Sequence, residues 1–156
     1  MKTPQVIVQI DTREQAPLTI SKYPVEVCGL PVGDYGIKGF SDWSNPAFTV
    51  EWKTLNDLIG SLTQGRERFM REVEKLRAFY FAAILIGASE EQVARGDYVS
   101  RATPSSILAT LDAIRVRTGV HIIWGNDATQ AAQIFERLVR QFVRGIEKDI
   151  KRLGLK

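Results

Sequence analysis

Asp34, Glu51 and Lys53 are the residues of this chain whose types and spacing could do chemistry together. Sixteen residues separate Asp34 from Glu51, and Glu51-Trp52-Lys53 falls in residues 48–53, which alternate as a strand. Phe48, Val50 and Trp52 share one face of it, and Thr49, Glu51 and Lys53 share the other. A Glu-x-Lys pair alone is common and is ordinarily a plain ion pair. Asp34 shifts the balance, because it follows a bend at residues 31–34 and precedes another strand. A hairpin could return the chain and set Asp34 beside Glu51. Two carboxylates so close repel each other, and a divalent cation removes that cost. Magnesium takes oxygen ligands and keeps several waters, and the Trp52 carbonyl could add one more oxygen. Lys53 would then lie near the attacking water and a phosphate oxygen, to orient the water or assist its deprotonation.

These side chains need a scaffold, and the pattern around them supplies one. Residues 6–10 alternate as a strand, with Val6, Val8 and Ile10 on one face and Asp11 on the other. Strands are predicted over 25–30 and 35–40, and residues 41–46 are rich in turn formers that link a hairpin. Thr54-Leu-Asn-Asp57 reads as a capping box opening a short helix to about residue 61. Residues 66–80 form an amphipathic helix with Phe69, Val73 and Leu76 inward. The apolar run 82–86 is a strand covered on both faces. Thr103-Pro104 is an N-cap followed by proline at N1, opening a helix through about 117. Residues 120–124 are the last strand, and Asn126 or Asp127 caps a long final helix with an apolar stripe from Ala131 to Ile146. A strand meander, helices, a buried strand, a helix, a buried strand and a helix make an α/β architecture, a mixed sheet with helices on its faces.

Composition is that of a globular domain, 44% hydrophobic and 25% charged, and 156 residues suit one domain over 1–156. Apolar runs are too short to span a bilayer, and the N-terminus reads as a strand, not a signal peptide. The lone Cys28 excludes an internal disulfide and fits a small core residue in a reducing cytoplasm, not a secreted protein. The lone His121 falls in a buried-looking strand and reads as structural rather than as a general base. The net charge of +3 is unevenly spread. Residues 136–156 hold seven Lys/Arg against three acids, and residues 66–77 hold five against three. Such clusters suit phosphate, although a solvated helix face is the plain alternative.

At this point the motifs resemble a known family. Ile10-Asp-Thr-Arg-Glu-Gln15, Gly33-Asp-Tyr35 and Val50-Glu-Trp-Lys53 followed by Asp57 are similar to the nuclease domain of XPF-type structure-specific endonucleases. That family's signature is Gly-Asp, a variable gap, Glu-Arg-Lys, three residues and Asp, within the wider restriction-endonuclease-like superfamily. Gly65-Arg66-Glu-Arg68-Phe69 resembles the family's segment after the catalytic strand, so the likeness covers nearly the whole chain. The resemblance implies metal ligation by Asp34, Glu51 and Asp11, a catalytic Lys53, and a role for Arg13 on the scissile phosphate. It implies Mg2+ as cofactor, with Mn2+ able to substitute, and cleavage of branched, flap or junction DNA in repair or recombination. Asp57 matches the final signature aspartate but also reads as a helix-cap partner, and Glu14 matches without a defined task. Arg66 and Arg68, near a helix start, are candidates for DNA phosphate contact or a solvated first turn.

The chain departs from the family in three ways. Trp52 replaces the signature arginine and by alternation packs beneath a helix, away from Glu51. The gap before Glu51 is long and carries Trp43, which either stacks on a base or packs over its loop. No appended helix-hairpin-helix module is read in the sequence. The family commonly pairs through helices at the end of this domain, so a homodimer, or a heterodimer with a DNA-binding partner, is expected. The competing reading is a catalytically silent module that binds DNA or scaffolds a nuclease, against which stands the retention of Asp34, Glu51 and Lys53.

Overall fold

In the computed structural model, which describes residues 5–155, the strands are β1 (Val8–Asp11), β2 (Val25–Cys28), β3 (Tyr35–Ile37), β4 (Ser41–Asp42), β5 (Asn45–Pro46), β6 (Phe48–Thr54), β7 (Phe81–Gly87) and β8 (His121–Trp124). The helices are α1 (Leu55–Leu62), α2 (Arg66–Leu76), α3 (Glu90–Ala94), α4 (Pro104–Thr118) and α5 (Ala128–Arg152). Six strands form one mixed sheet in the order β2-β1-β3-β6-β7-β8, and β4 pairs with β5 in a small ribbon. β1–β3 and β3–β6 are antiparallel, whereas β6–β7 and β7–β8 are parallel. The predicted hairpin exists, with Tyr35 opposite Val50 and the β4–β5 ribbon inserted at its turn.

Each face of the sheet carries its own core. On the Glu51 side, Ile84 and Ile86 pack with Leu58, Phe69, Val73, Ile107 and Leu111 beneath α1, α2 and α4. On the other side, Val50, Trp52, Ala83 and Leu85 pack with Ala131, Phe135 and Val139 of α5. β7 is therefore apolar throughout, because both of its faces are dry. Trp52 does lie beneath a helix, its indole so close to Gly87 that a Cβ there would come within 2.6 Å of it. Thr54 caps α1 by accepting from the Asp57 amide, and Thr103 and Asp127 cap α4 and α5 in the same way.

Several expectations need correction. β2 runs parallel to β1, not as part of a meander, since residues 12–24 are long enough to carry the chain back before it pairs. α2 stops at Leu76 rather than near Tyr80, because residues 78–80 must turn the chain into β7. α3 was not predicted; it is five residues long, capped by Ser89. Cys28 is half-buried rather than in the core, because β2 is an outer strand whose Val27 is 68% exposed. His121 is exposed, since β8 is the opposite edge, and its ring stacks on Phe81 at 5.1 Å. Trp43 packs on Phe79, ring centroids 5.5 Å apart.

The irregular segment 12–24 is tied down at two buried points. The Leu18 amide donates to the Tyr35 hydroxyl at 2.7 Å, and the Lys22 amide donates to the buried Glu136 carboxylate at 2.7 Å. Tyr35→Phe keeps the ring against Phe135 but leaves the Leu18 N–H without its acceptor. Urea unfolding should show a loss of about 1–3 kcal/mol, and an unchanged midpoint would mean the bond is not needed.

Candidate active site

The three strands at the centre of the sheet bring three acids to one cavity. β1 ends on Asp11, β3 is preceded by Asp34, and β6 carries Glu51. The Asp11 amide donates to the Asp34 carbonyl at 2.8 Å, and the Asp34 amide donates to the Val50 carbonyl at 2.9 Å, so the backbone of Asp34 is clamped from both sides. Gly33 makes this possible. Its φ is +78°, and a Cβ there would collide with Thr49 Oγ1.

The cavity has a volume of about 460 Å³, and its lining includes Asp11, Arg13, Asp34, Glu51, Lys53 and Asp57. α2 contributes Arg68, Phe69 and Glu72. Asp34 and Glu51 thus point to the same side of the sheet. Asp34 Oδ2 accepts the Trp52 amide at 2.7 Å, which aims its carboxylate at the neighbouring strand. Lys53 Nζ lies 3.6 Å from Glu51 Oε1 and 5.4 Å from the centre of the Phe69 ring.

Burial, and then the Asp34 charge, push the Glu51 carboxyl up to about 8, with Lys53 only partly offsetting them. Burial likewise raises Asp34 to about 6, against the Trp52 amide, and the Glu14 charge adds to the rise. Asp11 behaves differently. Burial would raise it, but the Arg13 guanidinium and the amides of Leu30 and Arg13 hold it below the ordinary aspartate value. Arg13 Nε lies 2.7 Å from Asp11 Oδ2, and the Leu30 amide donates to Oδ1 at 2.8 Å. Both Asp11 oxygens are thus engaged within the protein, and Asp11 anchors an arginine whose side chain is 73% exposed.

Among the described residues no three His, Cys, Asp or Glu side chains close into a ready-made cation cage. Asp34 and Glu51 nevertheless fit magnesium, a hard ion that is held by one or two carboxylates and otherwise keeps its waters. Their shared, poorly solvated charge is what such an ion would neutralise.

Other expected residues fall in different places. Arg68 lines the cavity, but Arg66 does not: it turns toward α4, donating to the Leu62 carbonyl and to Thr110 Oγ1. Glu14 is outside the lining and accepts from the Ala16 amide. Asp57 both receives the cap of α1 through its amide and faces the cavity. Glu72 was missed in the sequence, although it sits four residues after Arg68 on the same helical stripe, which was the available signal.

The pair sets a pH dependence. Both folded values exceed the free ones, so the folded chain holds these protons more tightly, and stability falls as pH rises from 3.8 to about 6 through Asp34 and from 4.5 to about 8 through Glu51. Glu51→Gln removes the Glu51 part of that cost. Its urea stability should match the parent near pH 4 and exceed it at pH 8, on the order of 1–3 kcal/mol. Equal effects at both pH values would contradict this origin.

The ERCC4 domain family model matches residues 10–138. Among solved structures, the chain is similar to XPF from Aeropyrum pernix, with a TM-score of 0.70 and 25% identity over 86% of this chain and 60% of that one. XPF from Aeropyrum pernix in complex with DNA gives a TM-score of 0.67 and 24% identity over 89% of this chain and 66% of that one. The chain thus spans less than two thirds of either. No curated protein sequence matches it. The mixed sheet with helices on both faces is the fold of those XPF structures, as the motifs led us to expect. With the match running from β1 into α5, the chain belongs to the ERCC4 domain family.

Proposed function

We propose that this chain is a divalent-metal-dependent DNA endonuclease that hydrolyses phosphodiester bonds at branched, flap or junction substrates. The observation that carries the reading is the convergence of the Asp34 and Glu51 carboxylates, at a protonation cost, on a cavity that also holds Lys53. Nothing in the packing of the core calls for that arrangement. Family membership and the likeness to an XPF structure in complex with DNA support DNA as the substrate.

Asp34 and Glu51 would hold Mg2+, or Mn2+ in its place; Asp11, named in the sequence as a third ligand, is assigned instead to holding Arg13. The cation supplies stabilisation of the charge that develops on the phosphate. Lys53 orients the attacking water and takes part in moving its proton. Arg13, whose Nε donates to Asp11 and whose Nη2 donates to the Leu30 carbonyl, offers its remaining N–H groups to the scissile phosphate. Arg68 gives the strand a second cationic contact at the cavity wall.

Cleavage of flap, fork and junction DNA should require Mg2+ or Mn2+ and stop with chelator. Asp34→Asn and Glu51→Gln should abolish it, and Lys53→Met should slow it roughly 10²–10⁴-fold. Cleavage surviving chelator or both carboxylate changes would contradict the chemistry, and DNA binding without cleavage would favour a silent module. Ile150 in the last turn of α5 is 41% exposed and Leu153, just after it, 64%, which supports pairing with a second copy through this end of the helix. Sedimentation should then show a dimer, and a 17.5 kDa species alone at working concentration would remove the pairing.

A further inference from the structure

Two cavities meet at one glycine. The active-site cavity and a second, of about 730 Å³, are both bordered by Gly60 of α1. The second is lined by Asn56, Thr63 and Gln64 on one side and by Val99, Ser100 and Arg101, from the connection between α3 and α4, on the other. No carboxylate lines it. Thr63 spends its hydroxyl on the Ile59 carbonyl, which leaves the amides of Asn56 and Gln64, the Ser100 hydroxyl and the Arg101 guanidinium as donors. Nearby Arg95 is paired with Glu91 and Asp97, whereas Arg101 has no ion-pair partner among the described residues.

Gly60 itself is unexplained by the fold. Glycine inside a helix costs stability relative to alanine, and Gly60 has no left-handed φ to demand it. A Cβ there would meet nothing within 4 Å, so packing does not demand it either. What a longer side chain would do is stand in the passage between the two cavities.

We propose that the two cavities form one track for a single DNA strand, running from the carboxylate pair over the bare backbone of Gly60 to the donor-lined surface at Arg101. This rests on the nuclease reading above and extends it to the strand beside the cleaved bond. Donors without acids match the phosphodiester backbone, where affinity comes from neutralised phosphates. Val99, 99% exposed, offers apolar surface to the face of an unstacked base, which a duplex keeps covered. The occupant is therefore a single strand.

The test reads binding in a non-cleaving background. Glu51→Gln protein, alone or with Gly60→Gln or Arg101→Glu added, is titrated by fluorescence anisotropy against a single-stranded oligonucleotide and its duplex over a salt series. Both additions should weaken strand binding more than duplex binding. Arg101→Glu should lower the salt slope by about 0.7 for the lost contact. Gly60→Ala, with its short side chain, should bind nearly as the parent does. Gly60→Gln should keep or raise the thermal midpoint, which separates a blocked track from a damaged fold. The track is overturned if both variants, still folded, hold the strand with the parent's affinity and salt slope, or if only duplex binding falls. Normal cleavage with unchanged strand binding removes the track alone, whereas absence of cleavage by the unaltered protein removes the nuclease reading whatever these variants do.

Discussion

Asp34 and Glu51 are held together in a place where neither is comfortable ionised. Burial and mutual repulsion both act against their charge, and the single nearby ammonium, on Lys53, offsets only part of it. The surrounding architecture keeps the pair in place. The antiparallel pairing of β3 with β6 sets Asp34 beside the strand that carries Glu51, and the amide of Trp52 takes the Asp34 carboxylate. Gly33 lets the backbone bend there without striking Thr49. A cation between the carboxylates, as proposed above, would turn this local penalty into a binding site.

The sheet divides its labour between its faces. α5 covers one face with Ala131, Phe135 and Val139, and the indole of Trp52 belongs to that core. The opposite face opens at its edge into the cavity, where α2 supplies a stripe of Arg68, Phe69 and Glu72. Alternation along β6 connects the two, since Glu51 and Lys53 face the cavity while Val50 and Trp52 anchor the strand from behind. The segment carrying Arg13 crosses between these regions, tied to Asp11 at one end and to Tyr35 and Glu136 farther on. The position of an exposed guanidinium is thereby linked to buried hydrogen bonds on both sides of the molecule.

Much of this was legible because its signals are local. Alternation over residues 48–53 gave the faces of Glu51, Lys53 and Trp52, and the caps at Thr54, Thr103 and Asp127 opened helices where the structure has them. What was not legible depends on partners distant in sequence. Whether β2 lies inside the sheet or at its edge is decided by the path of residues 12–24, and with it the burial of Cys28. The same holds for His121, whose strand looks buried by composition but ends the sheet. Arg66 and Arg68 are indistinguishable by spacing, yet Thr110, 44 residues from Arg66, draws that side chain away and leaves Arg68 at the cavity. Nor could spacing show that the Asp11 carboxylate accepts from the Leu30 amide, 19 residues on, as well as from Arg13.

In the proposed chemistry two side chains from neighbouring strands hold one divalent ion. Calorimetric titration of the metal-free protein with Mn2+ at pH 8 addresses it directly. One ion should bind per chain, with binding lost in both Asp34→Asn and Glu51→Gln and retained in Asp11→Asn. Undiminished Mn2+ affinity in the two carboxylate variants would contradict it.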